Sequence, residues 1–182
     1  MNDTPPILTN VTFNPPIFSI NGGTYNAKDG KLYLAANGGN GTVPAVWMAD
    51  PVNKTSEVIV NNFRGLHLNS TDDVVVSNNT GLVYFTDPFY AYVFLPSEIL
   101  IDCQVLGTFP EPPQTTQNVY SFNLTSGYLS VLDDTLQVPN GIAFSPDESI
   151  LYVSDTSALD AGIGIPLNNQ GHRTVYSTPN ES

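Results

Sequence analysis

Short apolar runs separated by polar turns recur along the chain, and they recur in pairs. Residues 22–37 (GGTYNAKDGKLYLAAN), 74–88 (VVVSNNTGLVYFTDP) and 142–156 (IAFSPDESILYVSDT) share one order. Each has an apolar strand, a turn containing Asp, Asn or Gly, and a second apolar strand ending in small or acidic residues. Two such strands joined by a turn of this composition form a β-hairpin. A second hairpin follows the first two of these, at residues 45–60 (AVWMADPVNKTSEVIV) and 118–132 (NVYSFNLTSGYLSVL). Paired hairpins make a four-stranded antiparallel module of roughly 50 residues, the size of a propeller blade.

A third copy begins at Val138 and reaches Thr174–Ser177, where it stops before its last strand, and residues 7–18 read as the closing strand of an earlier blade. The pattern therefore predicts an all-β fold: an incomplete β-propeller arc of about two full four-stranded blades with partial blades on either side. The expected divisions are 1–18, 19–66, 67–137 and 138–182, within a single domain that no linker or low-complexity tract interrupts. The expectation is also that the chain lacks blades at both ends, since propellers close with four to eight. A β-sandwich of similar hairpins is the competing architecture, and the repeat favours the propeller.

Charge narrows the function classes. Five Lys+Arg stand against 17 Asp+Glu, a formal charge of −12. Such a surface repels phosphate backbones and anionic lipid headgroups, so nucleic-acid and membrane-surface partners are not expected. Cys103 is the only cysteine and can form no internal disulfide. It falls in the segment 89–117, which reads as an irregular loop. No run of about 20 apolar residues predicts a transmembrane helix, and Met1–Pro6 has no leader composition. Yet Asn-X-Ser/Thr sequons occur at Asn2, Asn10, Asn40, Asn53, Asn69, Asn78, Asn123 and Asn180. That excess points to an extracellular protein carrying N-glycans, with its own N-terminus upstream of Met1.

Three ordered motifs carry a resemblance. They are Asn69-Ser70-Thr71-Asp72-Asp73-Val74-Val75-Val76, then Val83-Tyr84-Phe85-Thr86-Asp87-Pro88, then Val138-Pro139-Asn140-Gly141-Ile142-Ala143-Phe144-Ser145-Pro146-Asp147 running into Leu151-Tyr152-Val153-Ser154-Asp155-Thr156. The series resembles the gluconolactonase family, with senescence marker protein and luciferin-regenerating enzyme, and within it the secreted fungal lactonohydrolase branch. Ile20-Asn21-Gly22-Gly23-Thr24-Tyr25 is similar to that branch as well. The resemblance implies a six-bladed propeller with one divalent cation, calcium before others, in its channel, and hydrolysis of a lactone or related ester.

By the same resemblance, Asn140 in Pro139-Asn140-Gly141 matches a metal-ligating Asn. Asp72 occupies the matching position one blade earlier, where the family has an Asn that contacts the metal region and the substrate. Asp72 is therefore expected as a second metal ligand and a substrate contact, with Asn69 and His67 as further substrate contacts in the same loop. Replacing Asn by Asp keeps an oxygen for calcium but loses an N–H₂ donor and adds a charge. The family's Glu ligand is expected before Met1, and its Asp, ligand and general base, beyond Ser182. No catalytic residue is therefore assigned, and the 182 residues alone are expected to be impaired. A non-catalytic propeller surface, or the different chemistry of strictosidine-synthase-like or arylesterase-like relatives, is the alternative. Asp87 and Asp155 each follow the second strand of a blade, and their repetition predicts a structural loop contact.

Overall fold

A computed structural model describes residues 8–90, 109, 111–156 and the strand at 173–177. The strands follow the paired hairpins of the sequence. β1 (Ile20–Asn26), β2 (Lys31–Ala36), β3 (Ala45–Asp50) and β4 (Thr55–Val60) form one antiparallel sheet in chain order. The next sheet runs β7 (Val74–Val76), β8 (Val83–Asp87), β9 (Asn118–Asn123) and β10 (Tyr128–Asp133), again in chain order. A third holds β11 (Pro139–Phe144), β12 (Ile150–Asp155) and β13 (Arg173–Ser177). Between the first two sheets lies a small hairpin, β5 (Asn62–Phe63) and β6 (Leu66–His67). Its turn residues Arg64 and Gly65 both have positive φ, 54° and 84°, the geometry of a primed two-residue turn. Among the described residues every regular element is a strand. Cys103 and most of the segment around it lie outside the described residues.

The sheets stand face to face as consecutive blades. Alternation along β8 shows why: all of its five residues are buried, because each of its faces meets a neighbouring sheet. Val83 and Phe85 enter a core with Tyr33, Ala35 and Val46 of the first sheet. Tyr84, one residue out of phase, enters a second core with Ile142, Leu151 and Val153 of the third. Side chains of a strand point to opposite faces with period 2, so a strand between two blades must be apolar throughout. Phe85 and Tyr120 stack with ring centroids 5.1 Å apart in the first of these cores.

Strands β1, β7 and β11 lie side by side, β1 and β2 against β7, and β11 against β7 and β8. They are the innermost strands of the arc. The free face of the first sheet, with Leu34, Ala36, Ala45, Trp47 and Ala49, carries Phe13 and Ile17 packed on it. Asn14 bridges Thr55 in parallel. Its N–H donates to the Lys54 carbonyl at 2.9 Å, and its carbonyl accepts from the Ser56 N–H at 3.1 Å. The opening segment, where described, thus runs along the outer edge of the first sheet. On the other side of the arc, Ala143 and Tyr152 of the third sheet are exposed.

Candidate active site

The inner strands begin with a shared irregularity. In the first sheet the register passes from Ile20 opposite Ala36 to Gly23 opposite Leu34, so Asn21 and Gly22 together face Ala35. In the third it passes from Pro139 opposite Asp155 to Ile142 opposite Val153, so Asn140 and Gly141 together face Ser154. In the second sheet the Asp72 N–H donates to the Thr86 carbonyl at 3.0 Å, and the Thr86 N–H to the Asp73 carbonyl at 3.1 Å. Asp72 and Asp73 thus share Thr86. A bulge of two residues against one re-aims a side chain out of the ladder. Three neighbouring blades carry Asn21, Asp72 and Asn140 at this equivalent place.

Hydrogen bonds knit these positions together. The Thr86 hydroxyl donates to the Asn140 carbonyl at 2.6 Å and accepts from the Asp73 N–H at 3.2 Å. The Asp73 carboxylate accepts from the Ile142 N–H at 3.1 Å. On the opposite side, a Cβ built on Gly22 would lie 2.4 Å from Asp73 Oδ1 and 2.7 Å from the Asp72 carbonyl oxygen. Only glycine lets β1 approach this closely.

The Asp72 carboxylate, 5% exposed, accepts a hydrogen bond from Asn21 Nδ2 at Oδ1. Among the described residues Oδ2 accepts none. Burial pushes this carboxyl up to about 6, the charge of Asp73 adds to the shift, and the Asn21 hydrogen bond opposes it. The Asn140 amide donates from Nδ2 to the Tyr90 hydroxyl at 3.3 Å, while Oδ1 accepts none among the described residues. Tyr90 in turn shares a 2.5 Å hydrogen bond with Thr156 Oγ1. Each candidate ligand is thus anchored by one atom and leaves one oxygen without a donor among the described residues. A carboxylate oxygen and an amide oxygen are the donor types a hard cation such as calcium takes. Among the described residues no three His, Cys, Asp or Glu side chains group as a metal site.

Asn69 and His67 lie deeper in the loop. Asn69 is 1% exposed. Its Nδ2 donates to Asp87 Oδ2 at 3.1 Å, Thr115 Oγ1 at 3.0 Å and the Thr116 carbonyl at 3.1 Å. Its Oδ1 is buried with no hydrogen-bond partner among the described residues. A carboxamide so enclosed leaves no room for a glycan at this sequon. His67 Nδ1 contacts the Leu68 carbonyl at 2.8 Å, and its ring meets Phe109 edge-on with centroids 4.9 Å apart. His67 Nε2 lies 3.7 Å from Glu111 Oε2.

Asp87 and Asp155 hold loops, as their repetition predicts. The Asp87 carboxylate accepts the backbone N–H groups of Asn69 and Ser70 at 2.9 and 2.8 Å. Asp155 accepts those of Gln137 and Val138 at 3.0 and 3.1 Å. The acidic side chain of one strand end thereby fixes the entry to the inner strand of its own blade. Sequence reasoning missed Asn21, Asp73, Thr86 and Tyr90. For Asn21 a signal existed, because Asn21-Gly22 repeats Asn140-Gly141 at the head of an inner strand. Asp73 and Thr86 act across 69 and 54 residues of chain, and nothing local marks them.

A family model described as the SMP-30/gluconolactonase/LRE-like region matches residues 10–161. The chain belongs to this family. Within the SMP-30/gluconolactonase/LRE-like family it is similar to the lactonohydrolase oryL of Aspergillus oryzae, 34% identical over 98% of this chain and 39% of that protein. It is also similar to the gluconolactonase of Zymomonas mobilis, 33% identical over 75% of this chain and 34% of that protein. A solved gluconolactonase from Xanthomonas campestris superposes with a TM-score of 0.64 at 25% identity, covering 90% of this chain and 46% of that one. The chain spans less than half the length of each of these relatives. The three sheets are accordingly part of a β-propeller, as the repeats predict.

Proposed function

We propose that the protein belongs to a calcium-dependent lactone hydrolase, with the cation held against Asp72 and Asn140 at the head of the inner strands. The observation that carries this reading is a pair of oxygens, Asp72 Oδ2 and Asn140 Oδ1, that accept no hydrogen bond among the described residues, on side chains whose other polar atoms are anchored. When bound, the cation supplies Lewis-acid polarisation of a lactone carbonyl. Asp72, ionised at neutral pH, contributes charge to the site, and Asn140 contributes a neutral oxygen. Thr86 and Asp73 keep the two strand ends in register. Asn69, enclosed by Asp87, Thr115 and Thr116, supports the loop that leads to Asp72, and Asp72 is the residue of that loop that a sugar lactone or related ester meets.

No described side chain is placed as a general base, and hydrolysis needs one to activate water. On this reading the 182 residues by themselves bind the cation weakly and turn over no lactone, since two oxygens fall short of the roughly six to eight that calcium takes and no base is placed. Exposed sequons at Asn10, Asn40, Asn53 and Asn78 support an extracellular setting. The test is a thermal melt of the chain with and without millimolar calcium. Calcium should raise the transition of the wild-type chain and leave the Asp72→Ala/Asn140→Ala double variant unmoved, by linkage to the native state. A wild-type transition blind to calcium would remove the reading. A sugar δ-lactone assay on the same samples separates binding from turnover.

A further inference from the structure

We infer that Asn21 is a positioning residue of the cation site, acting through Asp72. The inference rests on the calcium reading above and extends it to a third blade. Asn21 and Gly22 fill the same bulge in the first sheet that Asn140 and Gly141 fill in the third. Gly22 presses against the backbone at residues 72–73, too close for any side chain. The Asn21 amide is therefore delivered to the Asp72 carboxylate by the backbone, and it donates to Oδ1 there.

The chemistry gives that contact a purpose. An Asp at position 72 has no N–H₂ donor of its own, and its two oxygens are equivalent until something distinguishes them. The Asn21 amide occupies Oδ1 and leaves Oδ2 as the oxygen that accepts no hydrogen bond among the described residues. It also places a neutral donor, rather than a second charge, next to a buried carboxylate that already faces Asp73. Outer partners of this kind orient ligands and typically change metal affinity by about 10–100-fold. Asn21 is itself exposed and enters none of the three cores, so packing does not account for it.

The experiment is calcium titration calorimetry on the 182-residue chain, Asn21→Ala, Asp72→Ala and the double variant, with melting curves in the absence of metal on the same samples. Asn21→Ala should weaken calcium binding about tenfold while the metal-free melting temperature barely moves. On the Asp72→Ala background the same change should have no further effect. Equal affinity in wild type and Asn21→Ala would overturn the inference and leave the calcium reading standing. A tenfold loss of equal size on both backgrounds would also overturn it, because Asn21 would then act independently of Asp72. No calcium binding by the wild-type chain would defeat both.

Discussion

Asp87 is fully enclosed, and its environment sets a pH dependence whose sign can be worked out. Burial pushes its carboxyl up to about 7 from an ordinary 3.8, against the opposing pull of the Asn69 and Ser70 hydrogen bonds. A folded value above the unfolded one means that the native state holds the proton more tightly. The stability tied to that proton is complete below about pH 4 and is lost as pH rises toward the folded value near 7. Asp72, also raised, adds a contribution of the same sign. The metal-free chain should therefore melt higher at pH 5 than at pH 8. Asp87→Asn should flatten that slope and lower stability throughout by about 1–3 kcal/mol, since an amide N–H₂ would face the Asn69 N–H₂; thermal melts across pH check both. Residues of this kind were partly legible in the sequence. The repeated Asp at strand ends announced its loop role, but the burial that shifts its proton depends on a neighbouring blade.

At the level of elements, the hairpin turns lock one blade to the next. Glu148, in the β11–β12 turn with φ 56°, accepts from Ser77 Oγ at 2.8 Å, the Asn78 N–H at 2.9 Å and the Asn79 N–H at 3.1 Å in the β7–β8 turn. Desolvation alone would raise its carboxyl, yet the hydrogen bonds from Asn78, Asn79 and Ser77 together hold it below its ordinary value. Its contribution is present at neutral pH and disappears as pH falls through that depressed value, the opposite sense to Asp87. Because the clamp is solvent-exposed, Glu148→Ala should cost only about 1 kcal/mol, measured by denaturant unfolding at pH 7 and shrinking in acid. The hairpins themselves were plain in the sequence, since period-2 alternation and turn residues are local signals. The clamp was not, because Glu148 reads as one more turn residue until the two turns meet across 70 residues.

Across the whole molecule, the order of sheets follows from strands that must be apolar on both faces. Phe85 sits where the first and second sheets share a core, stacked on Tyr120 and fully buried. Phe85→Ala should destabilise the chain by about 3–5 kcal/mol and lower the melting temperature of the whole arc in a single step, which calorimetry would register. Two separate transitions would mean that the blades unfold independently. The repeated bulge at the head of each inner strand has a consequence of another kind. Its side chain is released from ladder pairing, so positions 21, 72 and 140 enter none of the three apolar cores. The arc thus offers interchangeable sockets on a constant frame. A library varied at those three positions alone would explore cation preference and substrate choice on one apolar frame.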